Sequence, residues 1–365
     1  MVLLDRRTWL SLAGAATLSR SYPAMSDAPP SPPIRLALNE NPFGPSPAAI
    51  EAIKADLAGL ARYTGREVDD LTAAIAARED IASDQIVLGE NLNVLGLHLS
   101  AHGGPGGTFV YSEPGYTALV DAVAPAGGRV ISVPLNAALE NDLPAIAAAI
   151  DGTTRAVYLV NPHNPSGTVS DATRFSEAVR ELSARTLVIV DEAYLEFLPD
   201  FAARTVAPLV REGANVAVFR TFSKIYGLAS LAIGYTLAPK PLAASLKQMG
   251  IGAFFGLSRL SLVAATASLR DRDYVGSVRT KVAAEREAWH ALLRERKRRF
   301  SASQANFVFF DAGRPHAEAA AVLAARGIII GRAQPHFDTW LRISIGLPDE
   351  NAIARQAVAE LLPPG

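Results

Sequence analysis

Short, almost unbroken apolar runs recur through the first two thirds of this 365-residue chain. They lie at residues 108–111, 129–133, 156–160, 187–191, 216–219 and 233–236. Such runs are typical of parallel β-strands whose two faces are both buried. Helical stretches separate several of the runs, among them residues 143–150 and 171–184, and these would form the crossover connections. The sequence therefore predicts an α/β fold built on a mostly parallel sheet.

The pattern changes after about residue 250. A long charged helix is predicted at 271–299, followed by strand 306–310, helix 316–326, strands 327–330 and 340–344, and helix 349–362. We interpret this part as a smaller C-terminal α/β domain with its own sheet. The predicted organisation is an N-terminal arm at residues 29–45, a large domain at 46–256 and a small domain at 257–365.

The large domain is predicted to begin with a helix. Ser46 would cap it and Pro47 suits its first turn. Four apolar residues follow at helical spacing and predict one continuous apolar face: Ile50, Ile53, Leu57 and Leu60.

Composition excludes several classes of function. The 35 Lys and Arg residues nearly balance the 36 Asp and Glu residues, so the net charge of −1 gives no basic footprint for nucleic acid or an acidic membrane surface. The chain has no cysteine, which excludes disulfides, thiol nucleophiles, iron–sulfur clusters and thiolate zinc sites. The six histidines suggest no metal site.

Residues 1–28 differ from the rest of the chain. Arg6 and Arg7 precede an apolar stretch at 10–18 that is too short to span a membrane. This resembles a secretory signal of the twin-arginine type and predicts export to the periplasm. Asp5 and the lack of a clean cleavage site weigh against export, and the alternative is a cytoplasmic protein that starts at Met25.

Polar segments follow three of the predicted strands. They are residues 161–167, residues 191–194 and residues 221–224. In an open α/β sheet, ligands bind beyond the carboxyl ends of the strands, and all three segments fall there. Each alone is typical of a turn or a helix cap, but together they indicate a binding site.

These segments, in this order, resemble the fold-type I pyridoxal-phosphate-dependent aminotransferases of class I/II, and among them the histidinol-phosphate aminotransferase branch. The resemblance covers residues 38–362 and is carried by residues 38–46, Arg62-Tyr63, residues 161–167 and 191–194, Ser223-Lys224 and residues 341–346. It implies a three-layer α/β sandwich with a mostly parallel sheet. It also implies pyridoxal 5'-phosphate as cofactor and a homodimer with shared active sites.

The resemblance assigns catalytic roles to Lys224, Asp191 and Tyr194. Lys224 would bind the cofactor aldehyde covalently and, once released, move a proton between the substrate carbon and the cofactor. Asp191 would keep the pyridine nitrogen protonated, so that the ring draws electrons from the substrate. Tyr194 and Asn164 would hydrogen-bond the phenolic oxygen of the ring. Tyr116 matches the aromatic residue that stacks on the ring, with packing into the core as the alternative.

The cofactor phosphate is expected at Gly89, Glu90 and Asn91, which follow a strand-like run and open a helix. Backbone N–H groups at a helix N-terminus bind anions, and Ser223 would add a hydroxyl group. Tyr63 resembles the tyrosine that reaches the cofactor phosphate of the neighbouring subunit.

Four residues are expected to contact the substrate. Arg342 matches the arginine that binds the substrate's anionic group through two parallel hydrogen bonds, with a buried structural ion pair as the alternative. Asn41 and Phe43 resemble residues of the N-terminal segment that closes over the substrate. Branch members carry a phosphate-binding arginine where this chain has Gly331, and Arg332, which follows, is the fourth candidate. A shift of one residue turns a strand side chain to the opposite face, which places a preference for histidinol phosphate in doubt.

The chain also departs from the family at the cofactor phosphate. The family's phosphate-binding arginine is replaced by Ala232. A charge-assisted hydrogen bond contributes about 1.5–3 kcal/mol, so cofactor binding should be weaker. Arg259 is a candidate replacement from its position in the sequence. Glu90, in turn, places an acid next to the expected anion.

The predicted function is transfer of an amino group to a 2-oxo acid by a ping-pong mechanism. The donor is expected to be histidinol phosphate or an amino acid with an aromatic or other bulky side chain. One alternative is a decarboxylase of the threonine-phosphate type, whose motifs look similar. The other is a non-catalytic cofactor-binding relic, which the missing arginine favours.

Overall fold

The computed structural model describes residues 32–102 and 106–362. The strands are β1 Ile34–Leu36, β2 Ile86–Leu88, β3 Thr108–Glu113, β4 Arg129–Pro134, β5 Thr154–Val160, β6 Leu187–Asp191, β7 Val216–Thr221, β8 Gly234–Leu237, β9 Phe307–Asp311, β10 Ile328–Ile330 and β11 Trp340–Ser344. The helices are α1 Pro47–Asp56, α2 Arg66–Glu79, α3 Leu92–Ala101, α4 Ala118–Asp121, α5 Leu143–Ala149, α6 Ala172–Ser183, α7 Phe201–Arg204, α8 Ala207–Arg211, α9 Lys240–Gln248, α10 Arg259–Arg270, α11 Arg272–Glu295, α12 His316–Ala324 and α13 Pro348–Leu361. The export signal predicted for residues 1–28 lies outside the described residues.

Seven of these strands form one sheet, in the order β2-β8-β7-β6-β5-β3-β4. Strands β3 to β7 pair in parallel with their neighbours, and β4 pairs in parallel with β3. Strand β8 is antiparallel to both β7 and β2, so β2 runs in the same direction as β7. The predicted mostly parallel sheet is confirmed.

Both faces of this sheet are buried. In β6, Val188 and Val190 belong to an apolar cluster that includes residues of α2 and α6. Leu187 and Ile189 point the other way, into a second cluster with residues of α3, α4 and α9. Because successive strand residues face opposite sides, an unbroken apolar strand serves both clusters. This confirms the three-layer arrangement.

Two features of the sheet differ from the prediction. The run at 233–236 was grouped with the parallel strands, but β8 is antiparallel to its neighbours. The connection from β7 to β8 has only a short 3₁₀ turn, Ala229–Leu231, whereas a parallel return needs a longer crossover, usually a helix. Strand β4 is mostly solvent-exposed rather than buried, because it is the last strand at one edge of the sheet.

Helix α1 begins as predicted. The Ser46 hydroxyl accepts a hydrogen bond from the Ala49 N–H (3.1 Å) and Pro47 is the first helical residue. The predicted continuous apolar face over residues 50–60 is wrong, because the helix ends at Asp56 and a 3₁₀ turn follows. Leu57 and Leu60 are about half exposed there.

The C-terminal elements predicted after residue 270 all occur, but they do not form one sheet. Strands β9 and β11 make an antiparallel pair, and β10 pairs in parallel with β1, a strand of the N-terminal arm. From Ile34 onward the described chain forms one compact unit, and the predicted domain boundary at 256 stays a prediction. None of the helices in the described ranges is long and apolar enough to cross a membrane.

A buried arginine connects β7 to three neighbouring segments. Arg220, 1% exposed, donates to Glu192 (2.9 and 3.1 Å), directly after β6, and to Glu79 (3.0 Å), the last residue of α2. It also donates to Thr205 Oγ1 (2.8 Å), between α7 and α8. Glu192 in turn accepts from the N–H of Val206 (2.8 Å). The carboxyl ends of β6 and β7 are thereby held in one position relative to each other.

Replacing Arg220 with methionine should lower the free energy of unfolding by about 3–5 kcal/mol, because it leaves buried carboxylates without their cation. Urea unfolding followed by circular dichroism measures this. Arg180→Met is the matched control, since Arg180 forms an exposed ion pair with Glu212 (2.6 Å) whose loss should cost less than about 1 kcal/mol. Equal losses in the two variants would contradict a special role for Arg220.

Candidate active site

A cavity of about 990 Å³ lies at the carboxyl ends of β5, β6 and β7. The end of β2 reaches the same edge, since β2 runs parallel in direction to β7. Most of the predicted site residues line the cavity: Glu90, Tyr116, Asn164, Asp191, Tyr194, Ser223, Lys224, Arg332 and Arg342. Residues from distant parts of the sequence therefore meet where the three polar segments predicted a binding site.

Asp191, the last residue of β6, is 2% exposed. Its carboxylate accepts hydrogen bonds from the Tyr158 hydroxyl (3.0 Å) and the Ala193 N–H (2.9 Å). Burial raises the pKa of Asp191 to about 7, and the nearby carboxylate of Glu90 adds to the rise. No described cation forms an ion pair with Asp191. A buried carboxylate in this position would be stabilised by a positively charged ring nitrogen.

The hydroxyl group of Tyr194 is held by two amides. Asn39 Nδ2 donates to it at 3.1 Å and Asn164 Nδ2 at 3.3 Å. Since both contacts use the oxygen as an acceptor, the hydroxyl proton of Tyr194 is free to be donated into the cavity. This is the geometry required of a residue that hydrogen-bonds the phenolic oxygen of a ring.

Lys224 enters the cavity from the connection between β7 and β8. Its Nζ atom donates to the carbonyl oxygen of Leu38 at 3.2 Å and lies 5.7 Å from the centre of the Tyr194 ring. The amine is thus held by a single backbone acceptor from the N-terminal segment, beside the buried hydroxyl of Tyr194. A lysine amine placed this way in a cavity can attack a carbonyl group.

Tyr116, which follows β3, also lines the cavity and is partly exposed. Burial raises the pKa of its hydroxyl to about 12, and the charge of Asp191 contributes. Because Tyr116 lines the same cavity as the predicted catalytic groups and is 42% exposed, it is not packed into the core, which was the alternative interpretation.

Arg342, in β11, is oriented by neutral groups. Its guanidinium donates to Asn164 Oδ1 (2.6 Å) and to the carbonyl oxygen of Ala37 (2.9 Å), while its buried Nε atom has no hydrogen-bond partner. Burial lowers its pKa. The alternative of a structural ion pair is not seen, because none of the described carboxylates pairs with Arg342. A buried guanidinium without a counter-charge is suited to binding an anion.

Arg332 also lines the cavity, which corrects the expectation from strand geometry. Strand β10 ends at Ile330, so side chains no longer alternate between faces at position 332. A Cβ atom at Gly331 would lie 2.9 Å from the carbonyl oxygen of Arg342 and 3.1 Å from its Nε atom. Glycine therefore allows this segment to pass close to Arg342, and the neighbouring Arg332 supplies a second cation.

The predicted phosphate segment adopts the expected turn. Gly89 has a φ of +118°, and a Cβ atom there would lie 2.6 Å from Asn91 Oδ1, so the position requires glycine. Asn91 donates through its side chain to the carbonyl oxygen of Leu88 (3.0 Å) and stabilises the turn. The Glu90 carboxylate accepts hydrogen bonds from the hydroxyls of Ser223 (3.1 Å) and Thr221.

No replacement for the family's phosphate-binding arginine comes from Arg259. Its guanidinium pairs with Asp56 (2.6 Å) and Glu67, and it does not line the cavity. The candidate suggested by sequence position is wrong, because these two carboxylates already bind Arg259 between α1 and α2. Ala232 precedes β8 and is exposed.

Five of the predicted site residues do not line the cavity of one protomer: Gly89, Asn91, Tyr63, Asn41 and Phe43. Asn41 instead donates to the carbonyl oxygen of Ile225 (2.8 Å) and accepts from the N–H of Phe43 (3.0 Å). It fixes the N-terminal segment next to the residue that follows Lys224. Tyr63 is 81% exposed.

Several functional contacts were missed at the sequence level. Asn39 lies in the quoted motif, but Asn41 was chosen in its place. The Asn39 side chain donates a hydrogen bond to the Tyr194 hydroxyl and accepts one from the Ser344 hydroxyl. The Asn39 backbone N–H also donates to Ser344. Tyr158 was read only as part of an apolar run, although a hydroxyl in a buried strand normally has a polar partner. The carbonyl groups of Ala37 and Leu38 carry no sequence signal.

Two histidines, His98 and His102, lie four residues apart, and their ring centres are 5.1 Å from each other. This pair was missed at the sequence level. Across the described ranges, no group of three or more His, Asp or Glu side chains is placed to hold a metal ion.

Comparison with known proteins supports the same interpretation. The family model described as aminotransferase class I and II matches residues 31–358. A histidinol-phosphate aminotransferase of Limosilactobacillus fermentum is 34% identical, with 90% of this chain and 91% of that protein covered. An aromatic amino acid aminotransferase of Streptomyces avermitilis is 31% identical over 94% of each chain.

A crystal structure of histidinol-phosphate aminotransferase from Sinorhizobium meliloti, in complex with pyridoxal-5'-phosphate, superposes with a TM-score of 0.81. The two chains are 32% identical, and 90% of each is covered.

Asp191 gives a pH-dependent prediction. Its pKa is raised in the folded protein, so the unfolded chain releases the proton first and the folded state loses stability as the pH rises from about 4 to about 7. In protein stripped of any cofactor, Asp191→Asn should therefore be stabilised relative to wild type by a few kcal/mol more at pH 8 than at pH 4, since one pKa unit corresponds to about 1.4 kcal/mol.

Urea unfolding of both proteins at several pH values measures this difference. Asp121→Asn is the matched control, because Asp121 lines the same cavity but is exposed, and its substitution should give no such pH trend. A difference between Asp191→Asn and wild type that does not change with pH would contradict the prediction.

Proposed function

The chain belongs to the class I and II aminotransferases, and from this premise we propose that it is a pyridoxal-phosphate-dependent aminotransferase acting on histidinol phosphate or an aromatic amino acid. The observation that carries the proposal is the convergence of Lys224, Asp191 and Arg342 on one cavity. A binding relic has no need of a lysine, a buried acid and an anion-binding arginine together.

Asp191, Tyr194 and Lys224 line the part of the cavity expected to hold the pyridine ring, and they fit the cofactor. When bound, pyridoxal phosphate supplies a conjugated ring that draws electrons from the carbon next to the donor's amine. Asp191 would hold a proton on the ring nitrogen, and Tyr194 would donate its free proton to the phenolic oxygen. Lys224 Nζ would hold the aldehyde and, when free, would move a proton at the donor carbon.

The substrate's anionic group is proposed to lie between Arg342 and Arg332. Arg342 is fixed by Asn164 and Ala37, so its guanidinium is oriented before the substrate arrives. Arg332 lines the same cavity and its side chain is free of ion pairs with described residues. Two guanidinium groups suit a phosphate-bearing donor or a carboxylate with a bulky side chain beside it.

We also propose a homodimer with shared active sites. Tyr63, Phe254 and Phe255 form an exposed aromatic cluster, with ring centres 6.4 Å apart for Tyr63 and Phe254 and 5.2 Å apart for the two phenylalanines. Phe255 is 64% exposed, and the half-exposed Leu57 and Leu60 precede Tyr63 in the chain. Large exposed aromatic groups are typical of protein interfaces. In the dimer, Tyr63 would reach the cofactor phosphate of the partner subunit.

The function is tested by supplying purified protein and pyridoxal phosphate with 2-oxoglutarate and, in turn, histidinol phosphate, phenylalanine, tyrosine and threonine phosphate. We expect glutamate to form with at least one of the first three donors, and Lys224→Ala to abolish both turnover and the visible absorption of covalently bound cofactor. Arg332→Ala should reduce kcat/KM for histidinol phosphate by about 10- to 100-fold, the loss of one charge-assisted contact, and for phenylalanine far less.

Release of carbon dioxide from threonine phosphate without glutamate formation would replace the proposal with the decarboxylase alternative. Cofactor binding with no turnover of any amine would favour the relic.

The dimer is tested by Phe255→Asp, which places a charge in the aromatic cluster. Sedimentation velocity should show a dimer for wild type and a monomer for the variant, because burying an unpaired charge is unfavourable. Ile353→Asp on α13 is the matched control, since Ile353 is 52% exposed and lies outside the cluster. If Phe255→Asp sediments as a dimer, this surface is not the interface.

A further inference from the structure

Glu90 occupies the end of the cavity where the cofactor phosphate is expected. It lies between β2 and the first turn of α3, and its carboxylate accepts hydrogen bonds from Ser223 Oγ (3.1 Å) and from Thr221 Oγ1. The helix N-terminus and the serine hydroxyl are the two groups proposed to hold the phosphate. Both lie beside Glu90, whose ionised carboxylate is negatively charged, as the phosphate is.

The donors at this end are limited. A serine or threonine hydroxyl has one proton to donate, and both protons are directed at Glu90. A phosphate that enters must therefore take these protons from the carboxylate or bind without them.

Compensating cations are also scarce here. Ala232 replaces the family's arginine, and Arg259 is bound to Asp56 and Glu67. Among the described residues that line the cavity, the cations are Lys224, Arg332 and Arg342. A phosphate group carries about −1.5 to −2 charges at pH 7, so it would be repelled by an ionised Glu90.

We propose that Glu90 competes with the cofactor phosphate for the hydroxyl groups of Ser223 and Thr221, so that the phosphate adds little to cofactor affinity until the Glu90 carboxylate is neutralised. This inference rests on the proposed function, and it makes retention of the cofactor dependent on pH. A neutral carboxyl group can donate its own proton to the phosphate, which turns a competitor into a ligand.

The charged and titratable groups that face Glu90 set the direction of this dependence. They are Lys224 after β7, Asp191 at the end of β6 and Tyr116 after β3. Burial raises the pKa of Glu90, whereas the two hydroxyls and Lys224 lower it.

The test compares two ligands that share a ring and an aldehyde but differ in the phosphate: pyridoxal phosphate and pyridoxal. Dissociation constants are measured by absorption titration of the stripped full-length protein between pH 5.5 and 8.5. The ratio of the two constants isolates the contribution of the phosphate. Dividing the wild-type ratio by that of a Glu90 variant also cancels the ionisation of the phosphate itself.

At pH 8, Glu90→Gln should increase the preference for pyridoxal phosphate over pyridoxal by about 10- to 100-fold relative to wild type, as expected for one or two charge-assisted contacts. The difference between wild type and variant should shrink as the pH is lowered, because protonation removes the charge of the Glu90 carboxylate and burial raises the pKa at which this occurs. Glu90→Ala, which removes the carboxylate without offering an amide, is the second variant and should raise the preference in the same direction. Asp121→Asn removes a charge from the same cavity at a residue that bonds to neither hydroxyl, and should leave the preference at the wild-type value.

An unchanged preference in both Glu90 variants at every pH would overturn the inference while leaving the proposed function intact. The same holds if the variants strengthen the binding of pyridoxal and of pyridoxal phosphate equally, since Glu90 would then act on the ring and not on the phosphate. Failure of wild type and all variants to bind either ligand would overturn the proposed function, and this inference with it.

Discussion

The pairing of Arg220 with Glu192 and Glu79 fixes the part of the sheet on which the site depends. Glu192 follows Asp191 directly, and Arg220 precedes Lys224 by four residues. Because the arginine and its carboxylates are almost completely buried, the two chain segments cannot shift relative to each other without exposing or separating charges. The acid that faces the cavity and the lysine that enters it are therefore positioned by an ion pair on the other side of the backbone.

The sheet was largely predictable because its physical signal is local. An unbroken apolar run reports burial on both faces, and six such runs matched six strands closely. The direction of a strand, in contrast, is not a local property of its sequence. Strand β8 is antiparallel because the connection that carries Lys224 forms part of the site and has no room for a crossover helix. Exposure of β4 depended on its place at the edge of the sheet, which the run itself does not encode.

The site, like the sheet, has parts that could be predicted from the sequence and parts that could not. Residues in the recognised motifs reached one cavity, because the carboxyl ends of neighbouring parallel strands must meet. The contacts that orient them come from elsewhere: Asn39 and the carbonyl groups of Ala37 and Leu38 reach the cavity only because β1 pairs with β10, some 290 residues away in sequence. Pairing at that separation leaves no periodic signal. The doubt about Arg332 had a related cause, since strand alternation was applied to a position two residues beyond the end of β10.

Two departures from the family pattern, Ala232 and Glu90, both concern the expected site of the cofactor phosphate and act in one direction. Ala232 removes a positive charge and Glu90 adds a negative one, while the ring end keeps its lysine, acid, tyrosine and asparagine. The phosphate group takes no part in the reaction and serves to hold the cofactor in its site. Binding energy from a group so far from the reacting atoms affects the dissociation of the cofactor. It affects the barrier to proton transfer at the ring less directly. Anchoring and chemistry are thus served by separate residues in this chain, and a change in one need not disable the other. That separation explains how a chain can lose the family's phosphate arginine and still hold the catalytic groups in hydrogen-bonded order.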